Sequence, residues 1–325
     1  MTAPLVDVIT PLYNCAPWLD QCIASVRSQS YQNWRMVILN NCSTDGSGDI
    51  AERHAAEDSR IRVVHADTFI GQVHNVNRSM RLISADSVYC KPLLADDWLH
   101  PRCLEEMVAL AVTDPNIGVV GSLSVYRGVI AHRGIPYSER AVLRGHDAMR
   151  AYLLNDDDAS YFLGSPTGVM YRSDLIRKKE FLFPEENRFF WDVDGCMDLL
   201  NEGSFGFVHQ VLSYNRRDNS VHWDKWERFG PLPLHVYMLL KKYGRSCMSN
   251  GEFETRWKDA EGRYYGMLAR GVLNRQSEEF WAMHQEGMDI AGMKLDMLKV
   301  YWRVATRLAD AALNPKRTFD RWLAG

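Results

Sequence analysis

Short apolar runs alternate with helix-spaced segments from Leu5 to Ser122, and no other feature of the sequence narrows the fold as far. Residues 5–10 read as a strand that ends at Pro11. Residues 18–28 set Leu19, Cys22, Ile23 and Val26 at helical spacing. Strands follow at 36–39, 61–64, 87–94 and 117–122, and the stretches 49–56, 72–83 and 101–112 between them read as helices. Strands joined by helices of this length predict right-handed βαβ units in a parallel sheet. Such sheets bind ligands beyond the carboxyl ends of their strands. Residues 164–171 and 205–214 read as further strands, and after Gly230 the pattern is helical. The expected division is an α/β domain over residues 1–230 and a helical extension over 231–325.

Composition excludes several classes. A formal net charge of −3 gives no general pull toward nucleic acid. The seven cysteines are odd in number and lack paired short spacings, which argues against a disulfide framework or a zinc ribbon and fits a reduced, cytoplasmic setting. The strand-like run starts by Leu5 with no basic segment ahead of it, so no signal peptide is expected. No apolar run approaches the ~18 residues of a membrane span.

One strand end stands out: Tyr89-Cys90-Lys91-Pro92-Leu93-Leu94-Ala95-Asp96-Asp97-Trp98. Two adjacent carboxylates where a buried strand leaves the core are costly unless something neutralises them, and a divalent cation does so. Asp oxygens suit Mg²⁺ and Mn²⁺, which commonly bridge protein to diphosphate. Taken alone, the pair also reads as a cap for the helix starting near Pro101. The first strand ends in Pro11-Leu12-Tyr13-Asn14, where Tyr13 offers a flat face for a base. The second runs into Asn40-Asn41-Cys42-Ser43-Thr44-Asp45-Gly46, where Asn41 offers a donor and an acceptor for a base edge. Ser43 to Gly46 is equally an ordinary turn before a helix cap.

In order and spacing these motifs resemble family 2 glycosyltransferases of the GT-A fold. The likeness runs through Gly71-Gln72, Asn77-Arg78, Asp96-Asp97-Trp98 with Pro101, Phe162 to Thr167 and Trp191-Asp192-Val193-Asp194, and ends in Gly206 to Leu212. It implies a Rossmann-like, mostly parallel sheet with flanking helices. Tyr13 then stacks on the base and Asn41 reads its edge, with Pro11, Asn14 and Asn77 in the same nucleotide pocket. One of Asp96 and Asp97 touches the ribose, and at least one holds the divalent metal, Mn²⁺ or Mg²⁺. Asp192 matches the family's catalytic base, and Arg216, Arg217 and His222 either lean over the diphosphate, with His222 as a further metal ligand, or are solvated loop charges. Asn40 stands where the family usually has Asp, and Leu94 where a third carboxylate often sits.

Chemistry supports Asp192 independently. An inverting sugar transfer needs a carboxylate beside the acceptor hydroxyl, opposite the departing diphosphate. Asp192 follows Phe189-Phe190-Trp191, which would wall a sugar pocket; as a helix cap it would need no such role. The expected function is inverting transfer from a UDP-sugar to a hydroxyl of a saccharide or lipid-linked acceptor in surface-polysaccharide assembly. A nucleotidyltransferase would want a Gly-rich basic loop after the first strand, which Pro11 to Asn14 lacks. A non-catalytic nucleotide-binding scaffold is the other alternative. Near the C-terminus, Met293, Met297, Tyr301, Val304, Leu308 and Ala311 form one helical face opposite Asp296, Lys299, Arg303, Arg307 and Asp310. With Lys316, Arg317 and Arg321 beyond, this helix either packs on protein or makes peripheral contact with an anionic membrane.

Overall fold

The fold comes from a computed structural model that describes residues 3–126, 128–131, 135, 141–154, 163, 165–186, 190–216 and 229–314. The chain forms two compact units, Met1–Ser220 and Val221–Gly325. Arg217, His222, Phe162, Gly164, Phe189 and the tail cations Lys316, Arg317 and Arg321 lie outside the described residues.

The alternation read from the sequence is the alternation observed. β1 (Val6–Leu12), α1 (Ala16–Arg27), β2 (Trp34–Asn40), α2 (Ser47–Glu57), β3 (Ile61–His65), α3 (Gln72–Met80), β4 (Tyr89–Pro92), β5 (Trp98–Leu99), α4 (Cys103–Ala111) and β6 (Ile117–Tyr126) follow in turn. Val6, Val8, Ile9, Met36 and Ile38 are fully buried, as expected of strands covered on both faces. The helix expected over 72–83 stops at Met80. Asp7 is the reason, because its carboxylate takes both the N–H of Ser84 (2.6 Å) and its hydroxyl (2.5 Å), drawing the chain out of the helix.

After β7 (Val129–Ala131), β8 (Val142–Arg144) and α5 (Gly145–Leu154) come β9 (Val169–Arg172), α6 (Ser173–Arg177), α7 (Trp191–Leu200) and β10 (Ser204–Asn215). The sheet order is β3-β2-β1-β4-β9-β6-β10-β5. β1, β2, β3 and β4 are mutually parallel, and so are β6 and β10. β9 departs from the expected parallel sheet: it lies antiparallel between β4 and β6. A single 3₁₀ turn, Pro166–Gly168, leads into it. That turn is pinned from below by the fully buried Lys91, whose ammonium donates to the carbonyls of Pro92 (3.1 Å), Val169 (3.1 Å) and Thr167. Burial holds the Lys91 ammonium below its ordinary pKa.

The second unit is helical: α8 (Leu232–Cys247), α9 (Asn250–Leu273), α10 (Glu278–Ile290) and α11 (Met297–Leu313). Ser249 and Glu252 form a reciprocal capping box at the start of α9, and Asp296 caps α11 through the N–H groups of Leu298 and Lys299. α11 is amphipathic as expected, but its buried stripe takes in only part of the expected apolar face. Val300 is its buried residue, Lys299 reaches Glu261 of α9 (2.7 Å) and Arg303 lies against Gly262. Of the expected apolar face, Met297 and Val304 are half-buried while Tyr301 and Leu308 are exposed, together with Leu298, Trp302 and Leu313. Among the described residues no helix is long and apolar enough to cross a membrane.

Candidate active site

The order β3-β2-β1-β4 reverses direction at β1, so the carboxyl ends of β1 and β4 flank a crevice. Pro11 is paired with Leu39 inside the strand pair, and the turn begins after Leu12. Tyr13 then projects at 44% exposure. Asn14 is left-handed (φ 48°), and its side chain accepts from the N–H of Thr44 (2.8 Å) while its own N–H donates to Ser43 Oγ (3.0 Å). Asp45 accepts from the N–H groups of Ala16 (2.9 Å) and Ser47 (3.0 Å), tying the starts of α1 and α2 together. The Ser43–Asp45 stretch is thus a hydrogen-bonded brace for the crevice rim. A neighbour missed in the sequence completes the aromatic surface. Phe69, 57% exposed in the loop after β3, sits 4.7 Å from the Tyr13 ring.

Two asparagines expected in the nucleotide pocket are buried and engaged elsewhere. Asn41 clamps Ile70 from both sides, donating to its carbonyl (2.8 Å) and accepting from its N–H (3.1 Å). It therefore fixes the loop that carries Phe69. Asn77 does the same for Phe183, donating to its carbonyl (2.7 Å) and accepting from its N–H (3.0 Å). Phe183 in turn packs edge-on against Trp191 at the start of α7. Asn40, in the place of the usual Asp, bonds His65 (3.1 Å), which reaches Glu52 (2.7 Å).

The Asp96–Asp97 pair divides. Asp97 is 2% exposed, and its carboxylate accepts from Thr167 Oγ1 (2.5 Å), Asn215 Nδ2 (3.1 Å) and the N–H of Arg216 (2.7 Å). Burial, then the Asp96 charge, push its pKa up to about 7 against the pull of those donors. Asp96 is half-buried on the rim. Arg216 lies beside it, Nε donating to the Asp96 carbonyl (3.3 Å) and the guanidinium spread toward Trp98 (5.2 Å) and Trp18 (5.8 Å). Cys15 stands in the same field; burial and the Asp96 charge raise its thiol to about 12, which removes it as a nucleophile.

Asp192 occupies the first turn of α7, past a left-handed Phe190 that takes the cap position. It is therefore not the helix cap. Its Oδ2 accepts from the N–H of Ser165 (2.8 Å) and its Oδ1 from that of Val193 (3.0 Å). Of the five positive-φ residues other than glycine among the described residues, Asn14, Cys42, Ser165 and Phe190 lie in the loops of this site. Such backbone costs on the order of 1–3 kcal/mol each and persists where surrounding contacts over-determine it.

Among the described residues no three His, Cys, Asp or Glu side chains group as a metal site. Asp96 is the more exposed member of the pair, which suits a hard cation that takes most of its ligands from water and substrate phosphates.

A sequence profile described as "Glycosyl transferase family 2" matches residues 7–178. The "Putative glycosyltransferase EpsH" of Bacillus subtilis (strain 168) is 31% identical over 261 residues, covering 77% of this chain and 67% of that protein. For the first three curated relatives the matched stretch spans 41%, 67% and 75% of the relative's own length. Among solved structures, S. aureus TarS 1-349 in complex with UDP-GlcNAc matches with a TM-score of 0.63 at 16% identity, over 89% of this chain and 80% of that one. The mannosyltransferase PcManGT from Pyrobaculum calidifontis, in complex with GDP-Man and Mn2+, matches at 0.58 and 17% identity, over 98% and 84%. At these identities the structural likeness is one of fold.

Proposed function

The chain belongs to glycosyl transferase family 2, and from that premise we propose that it moves a sugar from a UDP-sugar to a hydroxyl of a saccharide or lipid-linked acceptor, with inversion, in polysaccharide assembly. The observation that carries this reading is the convergence of Tyr13, Asp96, Arg216 and the Ser165–Asp192 contact on the carboxyl-end side of the sheet. The base stacks on the Tyr13–Phe69 surface. Asn14 and Asn41 shape that surface through Thr44 and Ile70, and Asn77 supports α7 through Phe183. Asp96 faces the ribose and diphosphate, and would hold a Mn²⁺ or Mg²⁺ that supplies neutralising charge at the leaving group. Asp97, with its oxygens engaged, is a weaker ligand and serves mainly to anchor this loop. Arg216 adds fixed positive charge beside the diphosphate, and Arg217 and His222 follow it in sequence.

Asp192 accepts the proton of the acceptor hydroxyl as that oxygen attacks the anomeric carbon. The N–H groups of Ser165 and Val193 fix the orientation of its two oxygens. The catalytic domain of this proposal is residues 1–230, and residues 231–325 are a helical extension. Contact with a membrane bearing the acceptor falls to the exposed Leu298, Trp302 and Leu313 of α11, with Lys316 and Arg317 following in sequence.

Titration calorimetry with UDP, with and without Mn²⁺, tests the donor site. Metal-dependent binding is expected, and its absence for UDP and GDP alike sinks the donor assignment. Asp192→Asn should retain that binding and lose about 10²–10⁴-fold in transfer rate. Full transfer activity in this variant would remove Asp192 as the base.

A further inference from the structure

Asn215, the last residue of β10, joins the two halves of the site. Both N–H groups of its amide are spent on acceptors: one on Asp97 Oδ2 (3.1 Å), the other on Ser165 Oγ. The next link is the Ser165 N–H, which donates to Asp192 Oδ2 (2.8 Å). The path from the Asp96–Asp97 loop to Asp192 therefore runs through one amide and one serine. Asn215 itself is well fixed, because the preceding Tyr214 pairs with Trp98 in the sheet and their rings stack 5.1 Å apart. Ser165 is the strained partner, left-handed at φ 44°. A non-glycine residue holds that conformation only under restraint. The restraint comes from Asn215 on its hydroxyl, Asp192 on its N–H and the N–H of Gly168 on its carbonyl (2.8 Å).

We propose that Asn215 is a positioning residue for the transfer reaction, holding Ser165 so that its N–H sets the Asp192 carboxylate in register with the donor loop. This rests on the reading of Asp192 as the base. The chemistry of the position is specific. Two acceptor oxygens must each receive an N–H without added charge, which an asparagine amide does. Aspartate there would put a second carboxylate against Asp97, and an apolar side chain would supply neither bond. Loss of the amide acts unequally on the two sides. Asp97 keeps its bonds from Thr167 and Arg216, whereas the Ser165 hydroxyl loses its anchor.

The test is steady-state kinetics of Asn215→Ala and Ser165→Ala with donor and acceptor varied, and with Asp192→Asn assayed in parallel. Each alanine variant should lose about 10- to 100-fold in kcat. The KM for donor and the calorimetric affinity for UDP should move by less than about threefold, the split that separates positioning from donor binding. The acid limb of kcat should shift to higher pH, because the Ser165 N–H, no longer anchored, holds the charged form of the base less well. The double variant should be no worse than the poorer single one, since both cut the same link. If Asn215→Ala folds poorly, Ser165→Ala, which removes only an oxygen, gives the same reading. A kcat within about twofold of the parent in Ser165→Ala and Asn215→Ala, beside an inactive Asp192→Asn, overturns this inference and leaves the base reading standing. An active Asp192→Asn overturns the base reading and the inference with it.

Discussion

Burial gives two adjacent carboxylates different tasks. Asp97 satisfies three donors from two separate segments, so removing its side chain strands Thr167 Oγ1, Asn215 Nδ2 and the Arg216 N–H together. Asp97→Ala should cost about 3–5 kcal/mol in urea unfolding, as breaking a buried charged network does. Asp96→Ala, on the rim, should cost less than about 1 kcal/mol while losing the metal dependence of UDP binding. The sequence located the pair but could not divide it. The donors that bury Asp97 come from 70 and 119 residues away, and no local pattern carries that information. Asn41 teaches the same lesson. An amide at a strand end reads as a base contact, yet here both its polar atoms grip Ile70. Asn41→Ala should therefore weaken UDP binding about three- to tenfold by loosening the Phe69 loop, and Phe69→Ala should match it. UDP titration of both variants checks this; an Asn41→Ala effect without a Phe69→Ala effect would return Asn41 to direct base contact.

Elements were legible where their own periodicity decides them and illegible where a partner does. The strands and helices from β1 to β6 follow the apolar spacing closely, because a parallel sheet covered on both faces needs near-continuous apolar runs. Spacing has no direction, so the antiparallel setting of β9 was hidden; Lys91, gripping the turn before it, fixes that geometry from a different strand. In α11 the error had another origin. Apolar residues occupy both sides of the helix, and the buried stripe, Val300 with half-buried Met297 and Val304, takes in only part of the expected apolar face. Lys299 and Arg303 cover α9 with their stems and charges, which leaves Leu298 at 82% exposure and Val300 at 0%. Val300→Asp should then unfold α11 at a cost of more than about 2 kcal/mol, while Leu298→Asp should stay within about 0.5 kcal/mol. Circular dichroism during urea unfolding distinguishes them, and the opposite ranking would mean that Leu298 rather than Val300 is the packed side chain.

Across the whole molecule, the two units should respond to pH in opposite directions. In the first, burial and Asp96 raise the Asp97 pKa from 3.8 to about 7. The native state then holds a proton that the unfolded chain has lost, so this contribution is full below about pH 4 and disappears as pH rises through 7. In the second, His235 and His284 are buried and held neutral, their pKa values lowered from 6.5 to about 3 and about 4 by burial. Here the unfolded chain takes up protons the native state refuses, so stability is full above about pH 6.5 and drains as pH falls toward 4. The carboxylates whose pKa values are lowered, Asp20, Asp58 and Asp86 among them, act below pH 4 and leave the interval between 5 and 8 to these groups. Hydrogen exchange read peptide by peptide, and corrected for the intrinsic rate, resolves the two. From pH 8 to 5.5, protection in residues 1–220 should rise and protection in residues 229–314 should fall. His284→Leu should flatten the second trend alone, since its ring packs against Phe280 at 4.4 Å in an apolar setting. Saturating UDP and Mn²⁺ should flatten the first, because a cation beside Asp96 supplies the neutralisation that protonation otherwise provides at Asp97. Parallel trends in both units would mean that the buried groups named here do not govern the response.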